Sequence, residues 1–552
     1  MVILDFIRKG SLVEFRRLLL YAVVAGLANA LVMMVVNQIA GFVAQGGLPN
    51  LWHALVFAGV FLLYYQFDRL AVLRANVLIE RLLKRLRIDV MDALRRSELP
   101  VIEKLGRGNL YAAIGQGTNL LSVTFPLMVE HFQLAILLAA SLAYLAYLSL
   151  AAFLIFLAGA LVGYIAYQRL KLEFGRVLQT IAQQEGQMLD AVGDIIDGAK
   201  ELRLSDRRSE AVLRSYRTLA GATEALLVRS GELSVAMILV SGLIVYGMLA
   251  AVGFIFPQYG VFQGPVVFKL IPTLLFCVGP LIKIVSYGPT FVQAEVALKS
   301  ILAIEHQLKA SGSISPSEAR ALGIKYRDFN RINYAHMSFS FRDAQGEPVF
   351  TVGPVDLEVR RGETVFLVGG NGSGKSTIMR LVSGLYPAEE GRIEVDGRPV
   401  TGREIAGLRE LFSVILGDFH LFDRLYGLEN ADPAEVTRLI GEMRLGRKVR
   451  FENGRFSDLQ LSTGERKRLA LIAAILEDRP VYVFDEWSAE QDVHFREEFY
   501  TKIIPGLRAN GKTVLAVTHD DRYWHLADRV IKLDLGTVVW ERAGTELTDG
   551  SV

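Results

Sequence analysis

The stretch TVFLVGGNGSGKST, residues 364–377, decides how this chain folds. A β-forming run leads into a glycine-rich turn, and a helix-forming run, STIMRLVSGL, begins where the turn ends. Residues 369–376 fit G-x-x-x-x-G-K-[ST], the phosphate-binding loop. Gly369, Gly372 and Gly374 let the loop's backbone N–H groups, those of Asn371 and Ser373 included, close around the β- and γ-phosphates of a nucleotide. The helix N-terminus adds its dipole, and Thr377 closes the same cradle. Lys375 supplies a point charge and Ser376 a hydroxyl for Mg²⁺. The strand before the loop and the helix after it are the context the motif requires, which argues against a chance glycine-rich turn.

A second strand-like run, VYVF at 481–484, ends in two adjacent acids, Asp485 and Glu486. Carboxylates at the end of a buried strand are costly unless something compensates them. Beside a phosphate loop they are compensated: Asp485 would hold Mg²⁺ through water, and Glu486 would orient or deprotonate the attacking water. TVFLVG, VYVFD and TVLAVTH alternate with the helical runs STIMRLVSGL and ERKRLALIAAIL, so residues 325–552 read as an α/β domain with a largely parallel sheet.

The first half of the chain is different in kind. With 552 residues, 52% hydrophobic and only 21% charged, the protein is too long for one ordinary domain and too apolar to be wholly soluble. Residues 18–67, 131–168 and 233–268 contain no Asp, Glu, Lys or Arg. Each stretch exceeds the roughly 20 apolar residues that span a bilayer. Each also breaks near its middle, at GGLPN (46–50), AYLSL (146–150) and FPQYG (256–260). Six membrane helices in three pairs are expected, the sixth running to about Gln293. The predicted fold is an all-α six-helix transmembrane domain (1–310), a polar linker (311–324, around SGSISPSEARALG) and an α/β phosphate-loop ATPase domain (325–552).

The three breaks lack Lys and Arg, whereas residues 8–17, 69–96 and 169–229 are rich in them. The positive-inside rule then places the termini, the long connections and the ATPase domain in the cytoplasm. Those connections are too long for structureless loops and are expected as helical extensions of the spans. The first apolar stretch is too long for a cleaved signal. Cys277 stands alone and can form no internal disulfide, so it reads as packing. No nucleic-acid partner is expected.

Lys283, in the sixth span, costs about 2.5–3.5 kcal/mol to insert at membrane depth, so it should face a water-filled cavity or a partner. A carboxylate on the cargo and a pairing within the bundle are both open to it. Glu130 and His131 read as a cytoplasmic boundary, and Lys269 as snorkelling. Asn29, Asn37, Gln38, Ser241, Tyr246, Lys283 and Ser286 are the polar span residues that could line a cavity or link helices.

LQLSTGERKRLALIAAIL (459–476) resembles the LSGGQ signature of ABC ATPases. The resemblance implies that Ser462, Thr463, Gly464 and Glu465, at a helix start, contact the γ-phosphate held by a second subunit, so that one chain with one motif set works as a dimer. It also implies that His519 in VTHDD touches the γ-phosphate and that Phe341 in MSFSFR stacks on adenine. There are departures from the family pattern. SVILGDFHLF carries Gly417 where a glutamine is usual, so Asp418 or the backbone would have to serve the metal side. Glu465 replaces the signature glutamine, and Trp487 follows the catalytic acid where proline is usual.

GGNGSGKST, LSTGERKR, FDEWSAEQD, HFREEFY and THDDRYWHLADR together resemble the bacterial cyclic-peptide exporters, half-transporters of the kind serving syringomycin, pyoverdine precursors and lasso microcins. GAKELRLSDRR (198–208) resembles that branch's second intracellular coupling segment. The expectations are a homodimer in a bacterial inner membrane, ATP and Mg²⁺ as cosubstrate and metal, membrane lipids around it, and a peptide-like small-molecule cargo moved outward. A lipid flippase, a multidrug exporter, an importer with an exporter-like fold and a non-transporting membrane ATPase would share the same ATPase motifs.

Overall fold

The computed structural model describes residues 2–10, 12–44, 46–250, 254, 265–312, 314–343 and 345–547. It divides into two compact units, Met1–Arg95 with Val101–Ala310, and Arg96–Pro100 with Ser311–Val552.

The first unit is helical. Two helices, α1 (Val2–Gly10) and α2 (Leu12–Ala44), precede α3 (Leu51–Arg96), whose 46 residues make it about 70 Å long. Two short helices, α4 (Leu99–Leu105) and α5 (Arg107–Tyr111), lead through a π-helical turn (Ala112–Gly117) into α6 (Thr118–Leu148). Ser149 then turns the chain: its extended backbone ends α6, and its side chain accepts a hydrogen bond from Ala152 N, capping α7 (Leu150–Asp197). A five-residue helix, α8 (Ala199–Arg203), joins α7 to α9 (Asp206–Ala250), and α10 (Pro265–Ser286) and α11 (Gly288–Ala310) complete the unit.

Five helical segments among the described residues are long and apolar enough to cross a membrane. The breaks expected at 46–50 and 146–150 fall between α2 and α3 and between α6 and α7. The third, FPQYG, lies outside the described residues, as do the side chains of Ser241 and Lys269. The charged connections are continuous helix, because the amphipathic tails of α3 and α7 carry on the spans without a break. Asn37 links helices: its Nδ2 donates to Thr273 Oγ1 at 3.0 Å, both buried. Cys277 is buried among Leu145, Phe156 and Leu274, and packing is its role.

The second unit opens on a helix: residues 316–324, the greater part of the expected polar linker (311–324), belong to α12 (Pro316–Tyr326). Ser315 caps it by accepting from Glu318 N, and Pro316 supplies the fixed φ of a first helical turn. Two sheets follow. The first is antiparallel, in the order β2-β1-β4-β5, from β1 (Arg331–Arg342), β2 (Pro348–Arg360), β4 (Glu390–Val395) and β5 (Arg398–Pro399). The second runs β12-β11-β3-β10-β9-β6, from β3 (Thr364–Gly369), β6 (Phe412–Ile415), β9 (Val481–Asp485), β10 (Thr513–Val517), β11 (Arg529–Asp534) and β12 (Thr537–Ala543). All its pairs are parallel except the one with edge strand β12. A small hairpin, β7 (Phe451–Glu452) with β8 (Arg455–Phe456), lies apart from both.

The central strands are buried on both faces. Phe366, Phe484 and Ala516 enter one core, and Val365, Val483 and Leu515 the other. The covering helices are α13 (Lys375–Val382), α14 (Ile405–Arg409), α15 (Pro433–Glu442), α16 (Thr463–Glu477), α17 (Val493–Glu498) and α18 (Ile504–Ala509).

Candidate functional site

Adjacency of β3, β10 and β9 brings three motifs together. Val517 pairs with both Leu367 and Asp485, so the carboxyl ends of these strands are level. Open α/β sheets bind ligands at that edge. From it emerge the loop 369–376, the acids Asp485 and Glu486, and His519.

The loop needs its glycines, for two different reasons. Gly369 has φ 147°, and a Cβ there would sit 2.2 Å from the Leu533 carbonyl oxygen, so close approach as well as conformation excludes a side chain. Gly372 stands at the exposed tip of the loop with open space where a Cβ would be, and only its left-handed φ of 77° calls for glycine. Its role in the cradle is thus conformational: it turns the backbone and packs against nothing. Gly374, at φ 95°, forms the left-handed entry to α13. Lys375 is 5% exposed, and its Nζ donates to the carbonyls of Gly369 and Gly370 at 3.1 and 2.8 Å. Burial pushes its ammonium pKa downward, and the nearby Glu486 and Asp485 oppose that shift. Ser373 is buried with its Oγ unpartnered among the described residues, a hydroxyl suited to an anionic oxygen in the loop.

Ser376 Oγ donates to Asp485 Oδ1 at 3.1 Å. Burial pushes the Asp485 carboxyl above its ordinary range, and Glu486 adds to this. Ser376, the Gly417 amide and Arg380 pull it back. A hydroxyl and a carboxylate side by side, in a spot that disfavours an uncompensated anion, suit a hard divalent cation. Mg²⁺ takes one or two protein oxygens and completes its shell with phosphate and water. No three His, Cys, Asp or Glu side chains converge as a cage among the described residues, which fits that mode.

Glu486 has φ 49°, left-handed for a residue with a side chain, and it opens the 3-10 turn Trp487–Glu490. Three contacts hold it there. Lys467 Nζ, from the buried side of α16, donates to the Glu486 carbonyl at 2.9 Å. Trp487 is fully buried, stacks on Phe499 at 4.5 Å and donates Nε1–H to the Lys467 carbonyl at 3.0 Å. His519 Nε2 lies 3.0 Å from Glu486 Oε1. Tyr500 OH bridges Ser488 Oγ (2.7 Å) and Thr518 Oγ1 (2.6 Å), tying the loops that carry Glu486 and His519.

Ser462 caps α16 through a full capping box with Glu465, whose carboxylate also pairs with Lys448 at 2.8 Å. These bonds hold the Glu465 pKa down, Lys448 foremost. Ser462 and Thr463 are exposed, and no hydrogen bond joins residues 462–465 to the phosphate loop of the same chain among the described residues. Gly464 is needed for close packing, since a Cβ would meet the Glu490 carbonyl at 2.6 Å. Phe341 lies edge-on to Tyr386 and Phe339 on the antiparallel sheet.

Asp418 is exposed, and its Oδ2 accepts from Arg380 Nη2 at 3.0 Å. A metal role therefore requires Arg380 to release it. Gly417 has open space where a Cβ would be and no positive φ. Gly417→Gln should therefore keep hydrolysis within about twofold of the parent. Asp418→Ala should lower it at least about tenfold if that carboxylate serves the metal side. Steady-state ATPase assays decide. Normal turnover in Asp418→Ala would mean that hydrolysis needs no side chain from this loop on the metal side.

In the helical unit, Lys283 is paired: its Nζ donates to Glu130 Oε1 at 2.9 Å. A cavity of about 790 Å³ in the same unit is lined by Asn109, Gln116, Gln179, Gln183, Gln293 and Gln307 among others. Sequence reading missed these glutamines because polar residues on long amphipathic helices read as solvated, and Lys467 and Tyr500 because nothing local marks a buried lysine or tyrosine whose partners lie on other segments.

A phosphate loop, an acid pair and a level histidine on a parallel sheet, fused to a helical membrane unit, define a membrane-bound ATPase. The ABC transporter family model matches residues 352–489, which include the loop, residues 462–465 and the acid pair but neither Phe341 nor His519. ATP-binding protein SyrD of Pseudomonas syringae pv. syringae is 29% identical over 94% of this chain and 93% of its own length. An ATP-dependent lipid A-core flippase of Alkalilimnicola ehrlichii is 25% identical over 92% of this chain and 87% of its own. In fold, the chain resembles a bacterial Atm1-family ABC exporter with ATP bound, with a TM-score of 0.76 at 20% identity over 96% of each chain. The chain is an ABC half-transporter, a multi-pass membrane domain fused to one ABC ATPase domain, and it couples ATP hydrolysis to transport.

Proposed function

We propose that two copies of this chain form an exporter in a bacterial inner membrane, with termini and ATPase domains in the cytoplasm, and carry a peptide-like natural product outward. The dimer is supported by the exposed start of α16, which makes no hydrogen bond to its own phosphate loop among the described residues, so a second copy's γ-phosphate is its natural partner. The observation carrying the peptide reading is the amide-lined cavity. Each Gln or Asn offers both donors and acceptors, which suits the backbone amides of a peptide entering from the cytoplasmic side. The near full-length likeness to SyrD supports the same reading.

In this mechanism the loop amides, shaped by Gly369, Gly372 and Gly374, hold the β- and γ-phosphates together with Lys375. Phe341 stacks on adenine, and Ser376 with Asp485 would hold Mg²⁺. The metal, when bound, neutralises charge on the phosphates. Glu486 orients and accepts a proton from the attacking water, and His519 positions that carboxylate and reaches the γ-phosphate. Ser462, Thr463, Gly464 and Glu465 of the other copy close the far side.

Coupling is assigned to α8. Lys200, Glu201 and Arg203 lie on it, and Leu204 beside them is 87% exposed. Charge reversal at Glu201 or Arg203 should abolish cargo stimulation of hydrolysis while basal hydrolysis stays within about twofold, since such contacts fix register more than affinity. Unchanged stimulation and transport would make the segment a merely solvated face.

The test of the whole reading is a cargo panel on the reconstituted protein. Cyclic or lasso peptides, or a peptidic siderophore precursor, should raise ATPase activity and enter inside-out vesicles. The full-length likeness to a lipid A-core flippase favours lipid as the second reading. If lipids or dyes move and no peptide does, the peptide assignment is wrong and the ATPase assignment stands.

A further inference from the structure

Asp485 and Glu486 are neighbours in sequence, and a straight strand would send their side chains opposite ways. Val481 and Val483 face one core of the sheet, Tyr482 and Phe484 the other. Asp485 continues the first series and meets Ser376 of the phosphate loop. An extended Glu486 would follow Tyr482 and Phe484 into the core that holds Trp487, Phe499 and Tyr500. Instead its backbone turns left-handed, at φ 49° and ψ 37°, and its carboxylate stays 41% exposed beside His519. A residue with a side chain keeps that conformation only where its surroundings enforce it.

Lys467 enforces it at one atom. The direction of the Glu486 carbonyl fixes ψ of that residue, and Lys467 Nζ donates to the carbonyl oxygen at 2.9 Å. Ala489 N reaches the same oxygen at 3.3 Å. Lys467 is 2% exposed, and its ion-pair partner, Glu490, lies 3.6 Å away and is half open to solvent. A buried charge is costly, and a charged donor holds a carbonyl roughly twice as strongly as a neutral one. The helix α16 does not need this bond to stay on the turn at 487–491. Gln491 Nε2 donates to the Gly464 carbonyl at 3.0 Å, Arg468 Nε to Gln491 Oε1 at 2.8 Å, and Trp487 Nε1 to the Lys467 carbonyl at 3.0 Å. With the packing secured by those three, what is left to the Lys467 ammonium is the direction of one carbonyl.

We infer that Lys467 is a positioning residue for ATP hydrolysis: its ammonium fixes the left-handed backbone of Glu486 and so aims that carboxylate at the attacking water. The inference rests on the role proposed above for Glu486 and adds to it a residue that touches neither nucleotide nor water.

The test is a double-mutant cycle on the reconstituted full-length protein, read as kcat and KM for ATP, with single-turnover phosphate release where turnover is slow. Lys467→Met keeps the buried stem and removes the donor. Its kcat should fall about ten- to a hundredfold, the cost of a catalytic group displaced by about 1 Å, with KM within about twofold of the parent. In the Glu486→Gln background the same substitution should cost less than about twofold, because Lys467 acts only through that carboxylate. Glu490→Gln should leave kcat within about twofold, since the ion pair is not what aims Glu486. Should Lys467→Met fail to fold, Lys467→Gln, which keeps a neutral donor, takes its place in the cycle with an expected loss of about three- to tenfold. Parent-like kcat in the Lys467 variant, an equal loss in the Glu486→Gln background, or the same loss from Glu490→Gln overturns the inference and leaves Glu486 in its role. Parent-like turnover in Glu486→Gln alone overturns the role of Glu486 and the inference with it.

Discussion

Glu486→Gln is expected to bind ATP as the parent does and to hydrolyse it about a hundred- to ten-thousandfold more slowly, the span typical of a lost general base. The substitution keeps the size of the side chain and removes only its basicity. Lys375, the loop amides, Ser376 and Asp485 are untouched, so the phosphate cradle survives. The strained backbone at φ 49° survives as well, since it is held by Lys467 on the Glu486 carbonyl and by the buried Trp487, neither of which involves the carboxylate. His519, 3.0 Å from Oε1, can still hydrogen-bond an amide. With binding intact and turnover blocked, the variant should accumulate as an ATP-bound dimer, visible by size-exclusion chromatography with retained nucleotide. Near-normal turnover would remove Glu486 from the catalytic role.

Lys375→Ala should fail earlier, at binding. Its ammonium is 5% exposed and bonded to two loop carbonyls, so it is desolvated and aimed before any phosphate arrives. Truncating one partner of a buried charge pair costs about 2–5 kcal/mol, or roughly 30- to 5,000-fold in affinity. Equilibrium binding of a fluorescent ATP analogue should show that loss, with hydrolysis falling in parallel. Retained affinity with lost turnover would move Lys375 from holding the phosphates to acting on the transition state. The two variants therefore separate: one holds ATP without cleaving it, the other does not hold it.

The structure supplies partners, some local and some distant, that the sequence reading did not. Glu465 reads as a substitution in a phosphate-contacting signature. In the fold it completes a capping box and pairs with Lys448, so its charge is already engaged. Asp418 reads as a replacement metal-side group and is found on Arg380. Residues 311–324 read as linker from their Ser, Pro and Glu, yet Ser315, Pro316 and Glu318 start a helix when they stand at its cap and first turn. Trp487 reads as an oddity beside the catalytic acid. It is a core residue whose indole N–H anchors the helix that bears Lys467.

Sequence alone determined whatever is encoded locally or by composition. The phosphate loop is legible because its glycines, lysine and serine act through the conformation of one short segment. The spans are legible because a bilayer demands long uncharged runs, and the acid pair because it ends a strand run. Tertiary structure alone decided what depends on which elements become neighbours. Strand order set β3, β10 and β9 side by side and so brought His519 to Glu486. Helix packing set Lys283 against Glu130, 153 residues away. A lone lysine in an apolar run carries no mark of its partner. Ion pairing is a property of distance in space, and periodicity along the chain reports only which face a residue occupies.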